Sequence, residues 1–523
     1  MSQETRYITT PIYYVNDRPH IGHVYTTTLC DIYARAMRLL NQDVFFLTGT
    51  DEHGVKVEQS AIEQGMTPQA LADKNSAEFR SIMSRFELTN DDFIRTTDPE
   101  HTKQVKAFIS ALLESGDIYL GTFEGWYDEG QEEYHTETSA RDLEYKSPIS
   151  GKPLVRSSEQ NYYFKLSSYQ SQIEELFASN PDIVKPESRR NEVLGRLREG
   201  LQDVPISRTN FSWGIPMPDD DEHVVYVWID ALFNYITALG LGDQQSQVYE
   251  DHKKYWPATY HVIGKEILWF HAIVWPAVLM ALKLPLPDCI YAHSFWISEG
   301  KKMSKSLGNF IDVETIESYV SKYGLDAFRY YLITQGPLSA TDADFVAEKF
   351  QDIYNAHLVN TVGNCTSRVT AMIGKYFDGV IPSELHDDNR ITFEGFDWVE
   401  KCRAATSKWT DSMESFSLDK AVEVAMGLIR DVDLFINTTA PFTLAKDETK
   451  QAELGAILYQ CLETLRIASV LLTPIIPHKM KEFHQAMGFS LNEKSFDECC
   501  QWGGTEIGND VTKVALFPRV ESS

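Results

Sequence analysis

The chain has 523 residues, too many for one hydrophobic core and enough for roughly three domains. An apolar fraction of 43%, with 25 Tyr and 10 Trp, excludes a disordered chain. The net charge of −28 argues against an indiscriminate nucleic-acid binder and against DNA as a partner, while leaving room for a local basic track. The seven cysteines, an odd number without paired spacing, suit a reducing cytoplasm. Residues 1–6 are polar and carry no apolar signal region, so no secretory address is expected. The longest apolar run, Ile267 to Leu282, is shorter than the ~20 residues that cross a bilayer and contains His271 and Pro276. It predicts a buried helix and no membrane partner, and the cysteine usage predicts a cytoplasmic location.

Tyr7 to Asn16 is β-branched and aromatic and predicts a strand, broken at Asn16-Asp17-Arg18-Pro19. Leu29, Ile32, Tyr33, Ala36, Leu39 and Leu40 then recur at helical spacing, and Val44 to Thr48 predicts a second strand. This order opens a doubly wound parallel sheet, in which ligands sit at the carboxyl ends of strands. From about Ser115 to His223 short strands and turns, with a helical stretch from Ser168 to Ser179, predict an insertion. Strand-like Val224 to Ile229, Tyr260 to Ile263 and Cys289 to Ile297, with a helix from Glu266 to Leu282, resume the alternation. Val313 to Thr334 reads as largely helical, and the periodic stretches from Ala347 onward predict a helical bundle. The expected fold is α/β: a doubly wound, Rossmann-like parallel-sheet catalytic domain with a connective insertion and a C-terminal α-helical bundle. The expected divisions are 1–115 and 224–300 for the two halves of the catalytic domain, 116–223 for the insertion, 301–346 for a lysine loop and stem-contact region, and 347–523 for the bundle.

Two short segments carry chemistry. Pro19-His20-Ile21-Gly22-His23 lies at the mouth of the first helix, where two imidazoles and the helix amino terminus can stabilise negative charge building on a phosphate. Gly22, lacking Cβ, lets a nucleotide lie against the backbone. Lys302-Met303-Ser304-Lys305-Ser306 sits in a Gly- and Ser-bordered loop, and two ammonium groups on a closing loop suit leaving pyrophosphate. The alternative reading of each segment alone is a surface His pair and a solvated lysine loop.

Together and in this order, the two segments resemble the paired signatures of class I aminoacyl-tRNA synthetases. Thr10-Pro11-Ile12-Tyr13-Tyr14-Val15-Asn16, Gly49-Thr50-Asp51-Glu52-His53-Gly54, Tyr226-Val227-Trp228-Ile229-Asp230-Ala231-Leu232, and Gly264-Lys265-Glu266 through Phe270-His271 to Trp275-Pro276 further resemble the methionyl-tRNA synthetase family, over nearly the whole chain. The resemblance implies an enzyme that activates L-methionine with ATP and Mg²⁺ to methionyl-adenylate and pyrophosphate, and then esterifies a terminal ribose hydroxyl of tRNA(Met), the 2′-OH first. It implies His20, His23, Lys302 and Lys305 as catalytic, and Gly22, Gly264, Glu266 and Lys305 as ATP-binding. It further implies Ile12, Tyr14, Asp51, Trp228, Ala231, Leu232, Tyr235, Ile267, His271 and Trp275 as methionine-binding, with Asp51 on the ammonium and Arg208 as a brace. A flexible thioether gains from polarizable aromatic walls, although such aromatics taken alone read as ordinary core.

In many members the insertion carries zinc knuckles built from Cys-x-x-Cys or Cys-x-x-His pairs. Here the matching stretches read Tyr127-Asp128-Glu129-Gly130-Gln131-Glu132 and Ser147-Pro148-Ile149-Ser150, without thiolates, so no structural zinc is expected. Asn364 and Arg368, in Asn364-Cys365-Thr366-Ser367-Arg368, and Phe442, where the family often has Trp, are implied anticodon contacts. Arg189, Arg190, Arg196 and Arg198 read as a solvated helix face or as acceptor-stem contacts. The chain closes soon after Leu516-Phe517-Pro518-Arg519, and the resemblance then implies a monomer. Homocysteine is the expected awkward competitor. A synthetase for leucine, isoleucine or cysteine, and an inactive RNA-binding relative, remain as alternatives.

Overall fold

The computed structural model describes residues 3–520 apart from 17, 129–132, 136, 149, 299, 304–308, 387–388 and 493. Lys305 therefore lies outside the described residues. Seven strands form the central sheet. Asp92–Arg95, Asp43–Asp51, Thr5–Thr9, Tyr260–Gly264, Ile290–His293 and Val184–Lys185 lie side by side, with Tyr13–Tyr14 beside the end of Asp43–Asp51; every pairing is parallel. Val44 to Asp51 are all buried, as a strand covered on both faces by helices must be.

The first strand ends at Thr9 and resumes only at Tyr13, because Pro11 in the interruption has no N–H for the ladder. Val224 to Ile229 is not one strand. Asp220–Val225 pairs antiparallel with Ser207–Arg208 and Pro216–Met217 in a separate small sheet, and Val227–Thr237 is a helix buried almost all round. An apolar β-branched start cannot be told from a strand by pattern when the helix has no polar face. Cys289 to Ile297 divides as well: Ile290–His293 stays in the main sheet, and Trp296–Ser298 joins Lys301–Lys302 and Ala343–Phe345. The break falls where Ser294 N–H donates to Pro337 O and Phe295 N–H to the Asp342 carboxylate. The run from Glu266 to Leu282 is a 3₁₀ turn, a π-helical stretch Phe270–Val274 and an α-helix Trp275–Ala281. Such π stretches recur at functional sites, and this one holds His271.

In the segment 116–223, Ile118–Asp128 and Val155–Phe164 form a long antiparallel pair, flanked by Glu133–His135 and Val204–Pro205. Val184–Lys185, from the same segment, adds the edge strand to the main sheet. The helix after it, Glu187–Leu197, does not present its arginines as one solvated face. Arg189 Nη2 donates to Ser294 Oγ at 2.6 Å and to Ala340 O at 2.9 Å, and Arg196 lies over the Trp269 ring at 4.0 Å.

The C-terminal region packs Asn364–Tyr376, Trp398–Glu414, Leu418–Thr439 and Pro477–Ala486 around Gln451–Leu472. That central helix is long and apolar enough to cross a membrane, yet its apolar window is wholly buried inside the protein. A buried Arg329 ties the two main bodies together: it pairs with Asp31 of the Ile21–Leu39 helix at 2.7 Å and donates to Pro474 O and Ile475 O.

Candidate active site

A cavity of about 590 Å³ opens at the carboxyl ends of the main-sheet strands, between the amino end of the Ile21–Leu39 helix and the Val227–Thr237 helix. On its walls the structure brings together Ile12, Tyr14, His20, Gly22, His23 and Asp51 from the first half of the sheet. Trp228, Ala231, Leu232, Tyr235, Gly264, Glu266, Ile267 and His271 come from the second half.

The two histidines of the first motif do more than line the cavity. His20 is the N-cap of the Ile21–Leu39 helix: its Nδ1 accepts from Gly22 N–H at 3.0 Å, and His23 Nδ1 accepts from His20 N–H at 3.1 Å. With both Nδ1 atoms accepting backbone protons, the neutral rings carry hydrogen on Nε2. Burial, then the neighbouring His20, hold the His23 pKa well below the usual imidazole value. The pair thus presents uncharged N–H donors at the positive end of a helix. A Cβ on Gly22 would fall 2.9 Å from His20 Cε1, so the missing side chain leaves this ring its place.

The wall opposite is aromatic and neutral. Trp228 stacks on Phe270 with centroids 4.6 Å apart and planes 8° apart. His271 Nδ1 faces Ile267 O at 3.0 Å and so carries the proton; its Nε2 then accepts from Tyr235 O–H at 2.8 Å. Burial pushes the His271 pKa down to about 4, so the ring is uncharged near neutrality. Asp51 closes the strand Asp43–Asp51, opposite Tyr14 in the ladder, and is buried at the cavity edge. Across the cavity a Cβ on Gly264 would stand 2.3 Å from Glu266 Oε2, so glycine there lets the carboxylate fold back over the strand end.

Trp275 and Arg208 are not on the cavity wall. Trp275 is fully buried behind Tyr235, its Nε1–H donating to His261 Nε2 at 3.3 Å, and Arg208 is buried over the Tyr226 ring at 3.9 Å. Lys302 lies in a two-residue strand paired with Ile297, close in sequence to Met303, which does line the cavity. His293, Phe295, Trp296 and Phe310 also line it and escape the sequence reading. A signal for His293 existed: it ends a parallel strand, Ile290–His293, at the same carboxyl edge as Asp51 and Gly264.

Asn364, Arg368 and Phe442 lie in the helical region. Asn364 is exposed, Arg368 pairs with Asp433 at 3.0 Å and reaches Asn437 Oδ1 at 3.4 Å, and Phe442 is 51% exposed just past the left-handed turn at Ala440. In the insertion, residues 129–132 and 149 of the knuckle positions lie outside the described residues. Around the rest, Trp126 packs on Tyr145 at 4.6 Å, and both donate to Glu137, at 2.8 and 2.9 Å. Ser147 Oγ accepts from Ser150 N–H at 3.1 Å. Among the described residues no group of three or more His, Cys, Asp or Glu side chains converges as a metal site.

Residues 6–142 and 138–370 match the family described as tRNA synthetases class I (M), which sets the sheet, the capped histidines and the cavity within the class I aminoacyl-tRNA synthetases. The methionine–tRNA ligase of Halalkalibacterium halodurans is 42% identical over 530 residues, covering 99% of this chain and 79% of that one. That of Bacillus subtilis is 40% identical over 535 residues, covering 100% and 79%. The structure of Mycobacterium tuberculosis methionyl-tRNA synthetase in complex with methionyl-adenylate superposes with a TM-score of 0.88 at 34% identity, covering 99% of this chain and 100% of that one. The chain belongs to the methionine–tRNA ligase family.

Proposed function

We infer that this chain activates L-methionine with ATP and transfers it to tRNA(Met), and that the cavity is where both steps take place. The observation that carries the reading is the pairing of two neutral imidazole donors at a helix mouth with a neutral, sulfur-compatible wall in one cavity. The methionine carboxylate oxygen attacks the α-phosphorus of ATP; the P–O bond to pyrophosphate breaks, and the methionyl-adenylate anhydride forms. Nε2–H groups of His20 and His23 stabilise charge gathering on the phosphate oxygens, in preorganised positions that need no rearrangement. Lys302 and Lys305 are assigned to the leaving pyrophosphate, and Glu266 with Gly264 to the ribose side.

Asp51 is assigned to the substrate ammonium. The thioether lies against Trp228, Ala231, Leu232, Ile12, Ile267 and Tyr14, with Tyr235 and His271 at its sulfur end. Trp275 and Arg208 support this wall from behind. Mg²⁺ would enter on the phosphates of ATP: Asp51 and Glu266 are the carboxylates on the described cavity wall, and no described cluster of three ligands is available to hold the ion apart from the nucleotide.

In the second step a ribose hydroxyl of the terminal adenosine, the 2′-OH first, attacks the methionyl carbonyl and AMP leaves. Asn364, Arg368 and Phe442 are assigned to the anticodon, Phe442 as a stacking platform for an unpaired base. Charging of tRNA(Met) with radiolabelled methionine and ATP tests the reading. Formation of an alkali-labile methionyl ester is expected, and its absence with active ATP and intact tRNA would refute the reading.

A further inference from the structure

The Val227–Thr237 helix, which supplies Trp228, Ala231, Leu232 and Tyr235 to the cavity, also carries a carboxylate that is not on the cavity wall. Asp230 is fully buried, and each of its oxygens meets an imidazole. Oδ2 lies 2.7 Å from His53 Nδ1, and Oδ1 lies 2.8 Å from His101 Nε2. His101 belongs to the Pro99–Glu114 helix, and its Nδ1 reaches Thr237 Oγ1, on the same helix as Asp230, at 2.7 Å. His53 is two residues beyond Asp51 in the loop that leaves the central strand. Burial alone would raise the Asp230 carboxyl, but His53 and His101 hold it below the ordinary carboxylate value, so it stays ionised.

The loop is fixed on its other side too. Trp213 Nε1–H donates to Glu52 O at 2.6 Å, Gly54 N–H donates to Trp213 O at 2.9 Å, and Glu52 pairs with Arg95 at 2.8 Å. Asp51 therefore stands on a braced loop, and the one direct side-chain link from that loop to the helix bearing Trp228 runs through His53 and Asp230, among the bonds described. Those two elements face the two ends of an amino acid: Asp51 the ammonium, the helix the side chain.

We propose that Asp230, acting through His53, is a positioning residue that sets the length of amino acid the cavity accepts. The proposal rests on the methionine reading above. An ionised carboxylate held between two imidazoles is a short, directional cross-tie, and it fixes the gap between the loop and the helix more stiffly than packing alone. A wall displaced by a fraction of an ångström lets in a side chain one methylene longer, a difference that a rigid pocket rejects by about 10–200-fold.

Amino-acid-dependent ATP–pyrophosphate exchange of the full chain tests this, with methionine and ethionine as substrates. His53→Ala is expected to raise KM for methionine about tenfold and to shrink the preference for methionine over ethionine by a similar factor, with KM for ATP within about twofold. His53→Asn, whose amide N–H can stand in for Nδ1–H, should restore most of the preference. Asp230→Asn, which keeps the side-chain shape, should fall between the wild type and His53→Ala. A uniform loss of kcat with the preference retained, in His53→Ala or in Asp230→Asn should the first fail to fold, would make the tie merely structural and overturn the proposal; so would unchanged kinetics. Wild-type protein without methionine-dependent exchange would overturn the methionine reading itself, and this inference with it.

Discussion

The cavity and the Phe442 face are built in opposite ways. In the cavity, Tyr235, His271 and Trp228 are locked by neighbours, and the wall carries no charge at the sulfur end. On the helical region Asn364 and Phe442 are exposed, and Arg368 is half-buried and tethered by Asp433. A small thioether has little to bind by except fit, so its site must be rigid before it arrives. An anticodon loop brings its own charge and unstacked bases, and an open surface with one held guanidinium can receive it.

The largest effect should come from the cavity. His23→Ala removes one donor and one member of the helix cap. Exchange should slow by about 10²–10³-fold, with about 1 kcal/mol of stability lost from the cap, read by urea unfolding. Next comes the open face: Phe442→Ala should raise KM for tRNA(Met) about tenfold or more, the worth of one stacked base, and leave pyrophosphate exchange unchanged. Slowed exchange in that variant would erase the separation between the two regions.

A pH series sharpens the contrast further. Because burial holds His271 at about 4, KM for methionine should stay flat from pH 8 down to about 5.5. Stability should not stay flat. Between the unfolded imidazole value of about 6.5 and the folded value of about 4, the unfolded chain takes up a proton that the folded ring refuses. Unfolding free energy therefore falls as pH falls through that window, by about 1.4 kcal/mol per pH unit for this residue, and His271→Gln should remove that share of the slope. The smallest effect concerns the insertion. Washing the protein with chelator and then assaying with Mg²⁺ restored should leave exchange unchanged, whereas Trp126→Ala, which breaks the contact with Tyr145 and Glu137, should raise protease sensitivity of the insertion.

Much of this was legible in the chain. The strand–turn–helix opening placed His20 and His23 at a helix mouth because period and breakers agree there, and the amphipathic stretches after Ala347 read correctly as helices. The capping role of the two Nδ1 atoms was not legible, since it depends on backbone geometry at His20. Val227 to Ile229 misled because an all-buried helix start looks like a strand. His293 and Phe310 came to the cavity from distant segments, and only the parallel-sheet rule hinted at the first. Asp230 and His101 meet across 129 positions of sequence, and no local pattern announces such a pairing.

The most direct test of the central claim is ATP–pyrophosphate exchange by the purified chain across a panel of amino acids. The account predicts exchange driven by methionine, with leucine, isoleucine and cysteine near background. Exchange driven by one of those three while methionine stays silent would contradict it.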